Sequence, residues 1–162
     1  MRKASSILPL LIIVFLLTSC TISKEARSYK NTIDGNWQLK TIATEGIMGN
    51  VKVQLFNEAE LNCFIGSQWN FNDGNSLGKY SISKSVNECV EVVRNIRWSI
   101  FETKSEPKLL QFKRLNEKLK VIDDGNGFRF TIVQLDKNTM QLKSAITFEN
   151  RPVSIIYNFA RN

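Results

Sequence analysis

The sequence predicts an all-β domain, an antiparallel up-and-down barrel of about eight or nine strands with one short helix, and three observations predict it. From Gly35 onward apolar and polar residues alternate with the period of two that sets one strand face on a core and the other in water. The runs are separated at near-regular spacing by turn-forming clusters: Asp73-Gly74-Asn75, Asn116-Glu117, Asp123-Asp124-Gly125-Asn126-Gly127, Asp136-Lys137-Asn138 and Asn150-Arg151-Pro152. Long crossovers are missing, so sequence neighbours pair as hairpins, and closing such a meander removes the edges a sandwich would leave exposed.

Residues 1–19 stand outside this pattern. Arg2 and Lys3 give a positive start, Ile7 to Leu17 a short apolar run, and Leu17-Thr18-Ser19-Cys20 ends it on small residues and a cysteine. A bilayer span needs about 20 apolar residues, more than this run supplies. The segment resembles the signal peptide of bacterial lipoproteins, whose lipobox is a Leu, two small residues and a Cys that is lipidated after cleavage. That resemblance implies loss of residues 1–19 and a mature N-terminus at Cys20 carrying acyl chains of the palmitate kind. Such chains anchor a small domain to a membrane of the cell envelope, expected to be the outer membrane. Of 162 residues 143 then remain, and the formal charge falls from +7 to +5 with the loss of Arg2 and Lys3. That length suits one domain with one core. The residual positive charge is interspersed rather than blocked, which speaks for a solvated surface near anionic headgroups and against nucleic acid. Residues 20–32, polar and without apolar periodicity, read as a lipidated tether, leaving 33–162 as the domain.

Its first strand spans Ile33 to Ala43. Asp34-Gly35-Asn36 is turn chemistry, and Trp37, Leu39 and Thr41 then alternate with Gln38 and Lys40. Gly35 lets the backbone enter tightly, and Trp37 serves either as a plug at one barrel end or as an ordinary core tryptophan. Val51 to Leu55 is a short strand. Asn57 to Leu61 reads as the short helix, with Asn57 as cap and Glu60 reaching back to it; Phe56, Leu61 and Phe64 give it an apolar side to lay over a barrel end as lid or plug. Trp69 and Phe71, then Tyr80 and Ile82, mark the next two strands. Val92, Ile96, Trp98 and Ile100 share one face of a long strand that Arg94 interrupts. Leu109 to Lys113 and Leu119 to Ile122 follow as shorter strands. Phe128, Phe130 and Ile132 face one way, with Arg129 and Thr131 opposite; Met140, Leu142, Ile146 and Phe148, then Val153, Ile155, Tyr157 and Phe159, complete the meander.

Gly35-Asn36-Trp37 resembles the Gly-X-Trp motif that opens the first strand of lipocalins. Cys63-Phe64-Ile65-Gly66-Ser67-Gln68-Trp69-Asn70-Phe71, Gly78-Lys79-Tyr80, Cys89 and Asn95-Ile96-Arg97-Trp98-Ser99-Ile100 are similar to small lipocalin-like lipoproteins of Bacteroidetes type. The resemblance spans nearly the whole chain and implies a lipocalin-like barrel. It also implies that a basic residue after the last strand, Arg161, packs over Trp37. The second lipocalin motif, Thr-Asp-Tyr, is absent.

Histidine is absent too, which removes Ser-His-Asp and Cys-His nucleophilic sites and the usual imidazole metal sites. The Asp-Gly turns lack calcium-loop spacing, and no glycine-rich loop joins a strand to a helix to cradle phosphate. The expectation is a non-enzymatic protein with no cofactor and no metal. Once Cys20 carries lipid, Cys63 and Cys89 are the remaining thiols; in an exported chain they are expected to form a disulfide, the alternative being two buried free cysteines. For function the reading is a membrane-anchored barrel that takes a small apolar or amphipathic ligand at its open end. Phe130, Met140 and Tyr157 are the candidate contacts, with Arg94 and Arg129 on adjacent strands meeting an anionic headgroup. The alternative is a barrel filled end to end, acting as a structural or protein-binding envelope lipoprotein.

Overall fold

The structure, a computed structural model, describes residues 22–46, 52–83, 89–102, 107–123, 125 and 127–162. Residues 1–19, expected to be a signal peptide, and Cys20 lie outside the described residues. In chain order the elements are helix α1 (Lys24–Ile33), strands β1 (Gly35–Glu45), β2 (Gln54–Leu55) and β3 (Ala59–Glu60), a 3-10 turn (Leu61–Phe64), then β4 (Gln68–Asn72), β5 (Leu77–Ile82), β6 (Val92–Phe101), β7 (Leu109–Leu115), β8 (Phe128–Leu135), β9 (Thr139–Phe148) and β10 (Arg151–Arg161).

Eight strands close into one barrel. From β4 to β10 each strand pairs antiparallel with the next, and β1 closes the ring between β10 and β4. The expected up-and-down barrel is therefore present, with β2 and β3 set apart as a hairpin of their own. Alternation supplies the filling: Trp37 and Leu39, Trp69 and Phe71, Tyr80 and Ile82, Ile96 and Trp98, Leu110 and Phe112, and Ile155 and Tyr157 are all buried. Each such side chain contributes about 1.5 to 3 kcal/mol relative to exposure.

Three elements differ from expectation. Among the described residues the α-helix is not at Asn57 to Leu61 but at α1, within the stretch read as tether. Ser23 caps it, its Oγ accepting from the Ala26 N–H at 3.0 Å, and Ala26 and Ile33 are fully buried with Ile22 and Tyr29 packed beside them. Asn57 to Leu61 instead forms the turn of the hairpin, strand β3 and the start of the 3-10 turn. Leu119 to Ile122 contributes a single bridge, Val121 to Leu115, because Asn116 accepts from the Lys118 and Lys120 N–H groups and holds the chain in a turn.

Helix α1 closes one end. Lys30 pairs with Asp73 at 2.6 Å in the β4–β5 turn, and Ser23 donates to Glu102 at 2.7 Å just past β6. Trp37 Nε1 donates to the Ile33 carbonyl at 2.7 Å, tying the helix to β1. Arg161 lies over the Trp37 ring, 4.3 Å from its centre, and donates to the Asp34 carbonyl at 2.8 Å and to the carbonyls of Thr32 and Lys137. Gly35 sits beneath that guanidinium at φ 120°, where a Cβ would stand 2.6 Å from Arg161 Nη1. Gly35, Trp37 and Arg161 thus form a single closure at the α1 end, far from the mouth.

Candidate functional site

At the opposite end, the chain between β1 and β4 folds into the mouth. Leu61 N–H donates to the Val53 carbonyl at 2.8 Å and Glu58 N–H to the Leu55 carbonyl at 3.0 Å, so the reversal falls on Phe56 and Asn57. Both have positive φ, 53° and 51°. Asparagine tolerates that region; a phenylalanine there is a strained outlier, at a cost on the order of 1 to 3 kcal/mol. The ring's destination offsets the strain. Its centre lies 5.1 to 6.3 Å from those of Phe64, Trp69, Tyr80, Phe112, Phe128, Phe130 and Tyr157.

Phe56 divides the interior. Beneath it, the space enclosed with Trp69, Phe71, Leu110 and Phe159 amounts to about 10 Å³, too small for more than one water. Above it a half-open crevice of about 740 Å³ runs between the hairpin and the upper ends of β8, β9 and β10. Val53, Leu55 and Phe56 form one wall; Phe128, Phe130, Ile146, Phe148 and Tyr157 form the other. Ser144 shares a hydrogen bond with the Tyr157 hydroxyl at 3.1 Å, and burial pushes that phenol up to about 12, keeping its proton in place. Among the described residues, Lys52 and Arg129 are the charged residues on the rim, and no carboxylate lines it.

Beside the crevice lies a charged cluster. Arg94 grips Glu58 through two bonds, Nη2 to Oε1 at 2.6 Å and Nε to Oε2 at 3.0 Å. The Tyr80 hydroxyl donates to Oε2 at 2.7 Å and Arg114 Nη1 to the same oxygen at 3.3 Å. Arg114 is held in turn by Asp123, through Nε at 2.7 Å and Nη2 at 2.6 Å. Burial raises the Glu58 pKa, but the bonds from Arg94 and Tyr80 outweigh it, so the group lies below its usual 4.5 and is ionised. Burial and the neighbouring carboxylate push the Tyr80 phenol well above its usual 10, so it stays a donor. The Cys63–Cys89 disulfide, Cα to Cα 5.6 Å, ties the exit of the hairpin segment to the chain leading into β6.

Of the residues expected to contact ligand, Phe130 and Tyr157 line the crevice. Met140 does not: it pairs with Phe159 and Leu135 toward the filled end and is buried there. Arg94 and Arg129 are not on adjacent strands, because β7 runs between β6 and β8. Arg94 points inward to Glu58, whereas the Arg129 guanidinium stacks on Phe101, 5.0 Å from the ring centre, on the register opposite inward Phe128 and Phe130. Sequence reasoning placed Phe56 over a barrel end as part of a helical lid or plug, and missed Glu58 and Arg114 as site residues. A signal existed for Arg114, which follows Leu110 and Phe112 on the inward register of β7, just as Arg94 shares the register of Ile96 and Trp98.

The model of the lipocalin-like domain matches residues 33–142, more than half of the chain. Similar solved structures include the bovine odorant-binding protein complexed with its natural ligand, at 12% identity over 81% of this chain and 72% of that one, TM-score 0.45. The odorant-binding protein from bovine nasal mucosa is 10% identical over 88% of this chain and 76% of that one, TM-score 0.45. Its complex with a selenium-containing odorant is 12% identical over 88% and 78%, again with TM-score 0.45. No curated protein matches the sequence. With the closed eight-stranded barrel on one side and the family match on the other, the chain belongs to the lipocalin-like domain family.

Proposed function

We propose that this domain binds a small apolar or amphipathic molecule in the crevice at the barrel mouth, and that lipid on Cys20 holds it at a membrane of the cell envelope. One observation carries the ligand reading: an otherwise filled barrel keeps a crevice of about 740 Å³ at one end, and that volume falls in the range of about 300 to 1,000 Å³ used by small-molecule sites. Its walls are mainly aromatic and branched aliphatic, with Ser144, Gln54 and Asn57 as the polar groups able to orient a guest. Phe56 sets the floor, so the guest sits shallow and stays reachable from solvent or from a nearby bilayer.

The anchoring half of the proposal rests on Leu17-Thr18-Ser19-Cys20 alone. Binding is the activity proposed; the polar groups around the crevice serve to orient a guest rather than to break a bond.

Native mass spectrometry of the purified protein tests the ligand reading. The expected spectrum shows a small-molecule adduct, or gains one on incubation with hydrophobic probes, and loses it on denaturation. No adduct under any loading, together with an unshifted melting temperature, overturns the reading. For the anchor, Cys20→Ala is expected to move the protein from the membrane to the soluble fraction with its first residues uncleaved. Unchanged fractionation and unchanged mass would retire that half.

A further inference from the structure

Basic residues that are scattered along the sequence are gathered by the fold onto one outer wall of the barrel. Lys79 on β5, Arg97 on β6, Lys113 on β7 and Arg129 on β8 all fall on the outward register of adjacent strands. Arg97 and Lys113 are direct cross-strand partners, like charges set opposite each other at a cost in stability. Lys79 pairs with Asn95 and Arg129 with Gln111, which sets each of them diagonal to that couple. Among the described residues no carboxylate pairs with any of the four, whereas Lys30, Arg94, Lys108, Arg114 and Lys143 each have one. A half-open groove of about 270 Å³ lies between Arg97 and Lys113, lined also by Ser99 and Gln111, which are bonded at 2.8 Å. On β9, β10 and β1 the outward side chains are matched instead: Gln141 donates to Asn158, Asn158 to Thr41, Lys40 to Gln38, and Lys143 pairs with Glu45.

The start of the described chain lies beside the same wall. Ser23 is bound to Glu102, directly after β6, and Lys108, directly before β7, bridges Glu102 and Glu25 of α1. Ile22 packs on the core, so two residues of chain, about 7 Å at full extension, separate it from Cys20. Resting on the Cys20 anchor proposed above, we propose that the β5–β8 wall docks on a bilayer surface of anionic phospholipid, with the barrel lying on its side next to the lipid that holds it. The acyl chains enter at the β6–β7 end of the wall, the four cations meet the headgroups, and a lipid phosphate takes the groove between Arg97 and Lys113. Two apolar side chains on the outward register of β6 extend the contact: Phe101, beneath the Arg129 guanidinium near the anchor, and Val93, 62% exposed toward the mouth. Each cation held against such a surface raises the bound fraction about fivefold, so four together fix which side of the barrel faces the lipid.

Lysine acetylation rates, read by peptide mass spectrometry on the native protein reconstituted with vesicles, test this orientation. One set of vesicles is phosphatidylcholine alone and the other an equimolar mixture with phosphatidylglycerol. On the anionic vesicles Lys79 and Lys113 are expected to acetylate several-fold more slowly than on the neutral ones, while Lys40 and Lys143, on the other side, keep their rates. Arg97→Gln combined with Arg129→Gln should bring Lys79 and Lys113 back toward their neutral-vesicle rates and leave Lys40 and Lys143 as they were. Equal slowing of all these lysines, slowing confined to Lys40 and Lys143, or no difference between the two vesicles overturns the inference. The same slowing of Lys79 and Lys113 by free glycerophosphate also overturns it, since the wall would then take a soluble anion only. A protein that fails to sediment with the phosphatidylcholine vesicles retires the Cys20 anchor, and its lysine rates with the anionic vesicles still decide the wall. The comparison in the unmutated protein decides the matter even where the double variant fails to fold.

Discussion

Arg161 does at the residue scale what no strand pairing can: it fastens the C-terminal strand, the helix end and the β8–β9 turn at one point. Its guanidinium covers Trp37 and donates to the carbonyls of Thr32, Asp34 and Lys137. Arg161→Ala should therefore lower stability by about 2 to 4 kcal/mol, the sum of a partly desolvated cation–π contact and hydrogen bonds from a charged donor, as read by denaturant unfolding. Gly35→Ala should cost about 1 to 3 kcal/mol, because an alanine at φ 120° is strained and its methyl displaces that guanidinium. The pairing of Trp37 with Arg161 was legible through the resemblance, since both sit at fixed ends of the meander. Arg94 was legible only as a charge on an inward register. Its partner, 36 residues away in a hairpin, was not, because nothing local links Glu58 to β6. Glu58 also fixes a pH dependence. Its folded pKa is depressed, so the stability it contributes is fully present above about 4.5 and is lost as pH falls through the lower folded value. The unfolding midpoint of the native protein should thus drop more steeply below pH 4.5 than that of Glu58→Gln; parallel slopes would contradict the assignment.

Among the elements, α1 was the largest misreading, and the sequence did hold its signal. Ile22, Ala26, Tyr29 and Ile33 follow a spacing of four, three and four, the stripe of an amphipathic helix, behind a capping Ser23. Charged residues on the exposed face, Lys24, Glu25 and Arg27, together with Lys30, which packs over Trp98 and pairs with Asp73 on the barrel side, mask that stripe when polarity is averaged along the segment. The hairpin was misread for the opposite reason. Asn57 and Glu60 are helix-start residues, but Asn57 also accepts positive φ, and the ring cage that draws Phe56 inward is assembled from strands far along the chain. Tertiary burial overrode the local signal. Two measurements follow. Phe56→Ala should cost about 3 to 5 kcal/mol less whatever strain it relieves, and should enlarge the bound volume seen by hydrophobic probes. Cys63→Ser with Cys89→Ser should cost roughly 3 kcal/mol for a crosslink spanning 26 residues, and should loosen amide exchange in the hairpin before the barrel strands.

For the whole molecule, strand periodicity and turn spacing were enough to foresee a closed antiparallel meander, because each short turn leaves a hairpin as the only local pairing. What they could not fix was where the interior is full. Trp69, Phe71, Phe112 and Phe159 pack the lower barrel to within about 10 Å³ of closure, while the upper ends of β8, β9 and β10 lean away from the hairpin and keep a crevice open. Fold closure and the crevice thus sit at opposite ends of one barrel, the Trp37 end covered by α1 and the Phe56 end by the hairpin. The central claim is that this crevice is a binding site, and it is tested most directly by titrating a neutral fluorescent probe, N-phenyl-1-naphthylamine, into the native protein and into Ser144→Trp. Ser144 faces the crevice beside Tyr157, so the indole fills the space without touching the sealed end. The account predicts saturable one-to-one binding to the native protein that Ser144→Trp abolishes while its unfolding midpoint holds; no saturable binding to the native protein, or binding that the indole leaves unchanged, would contradict it.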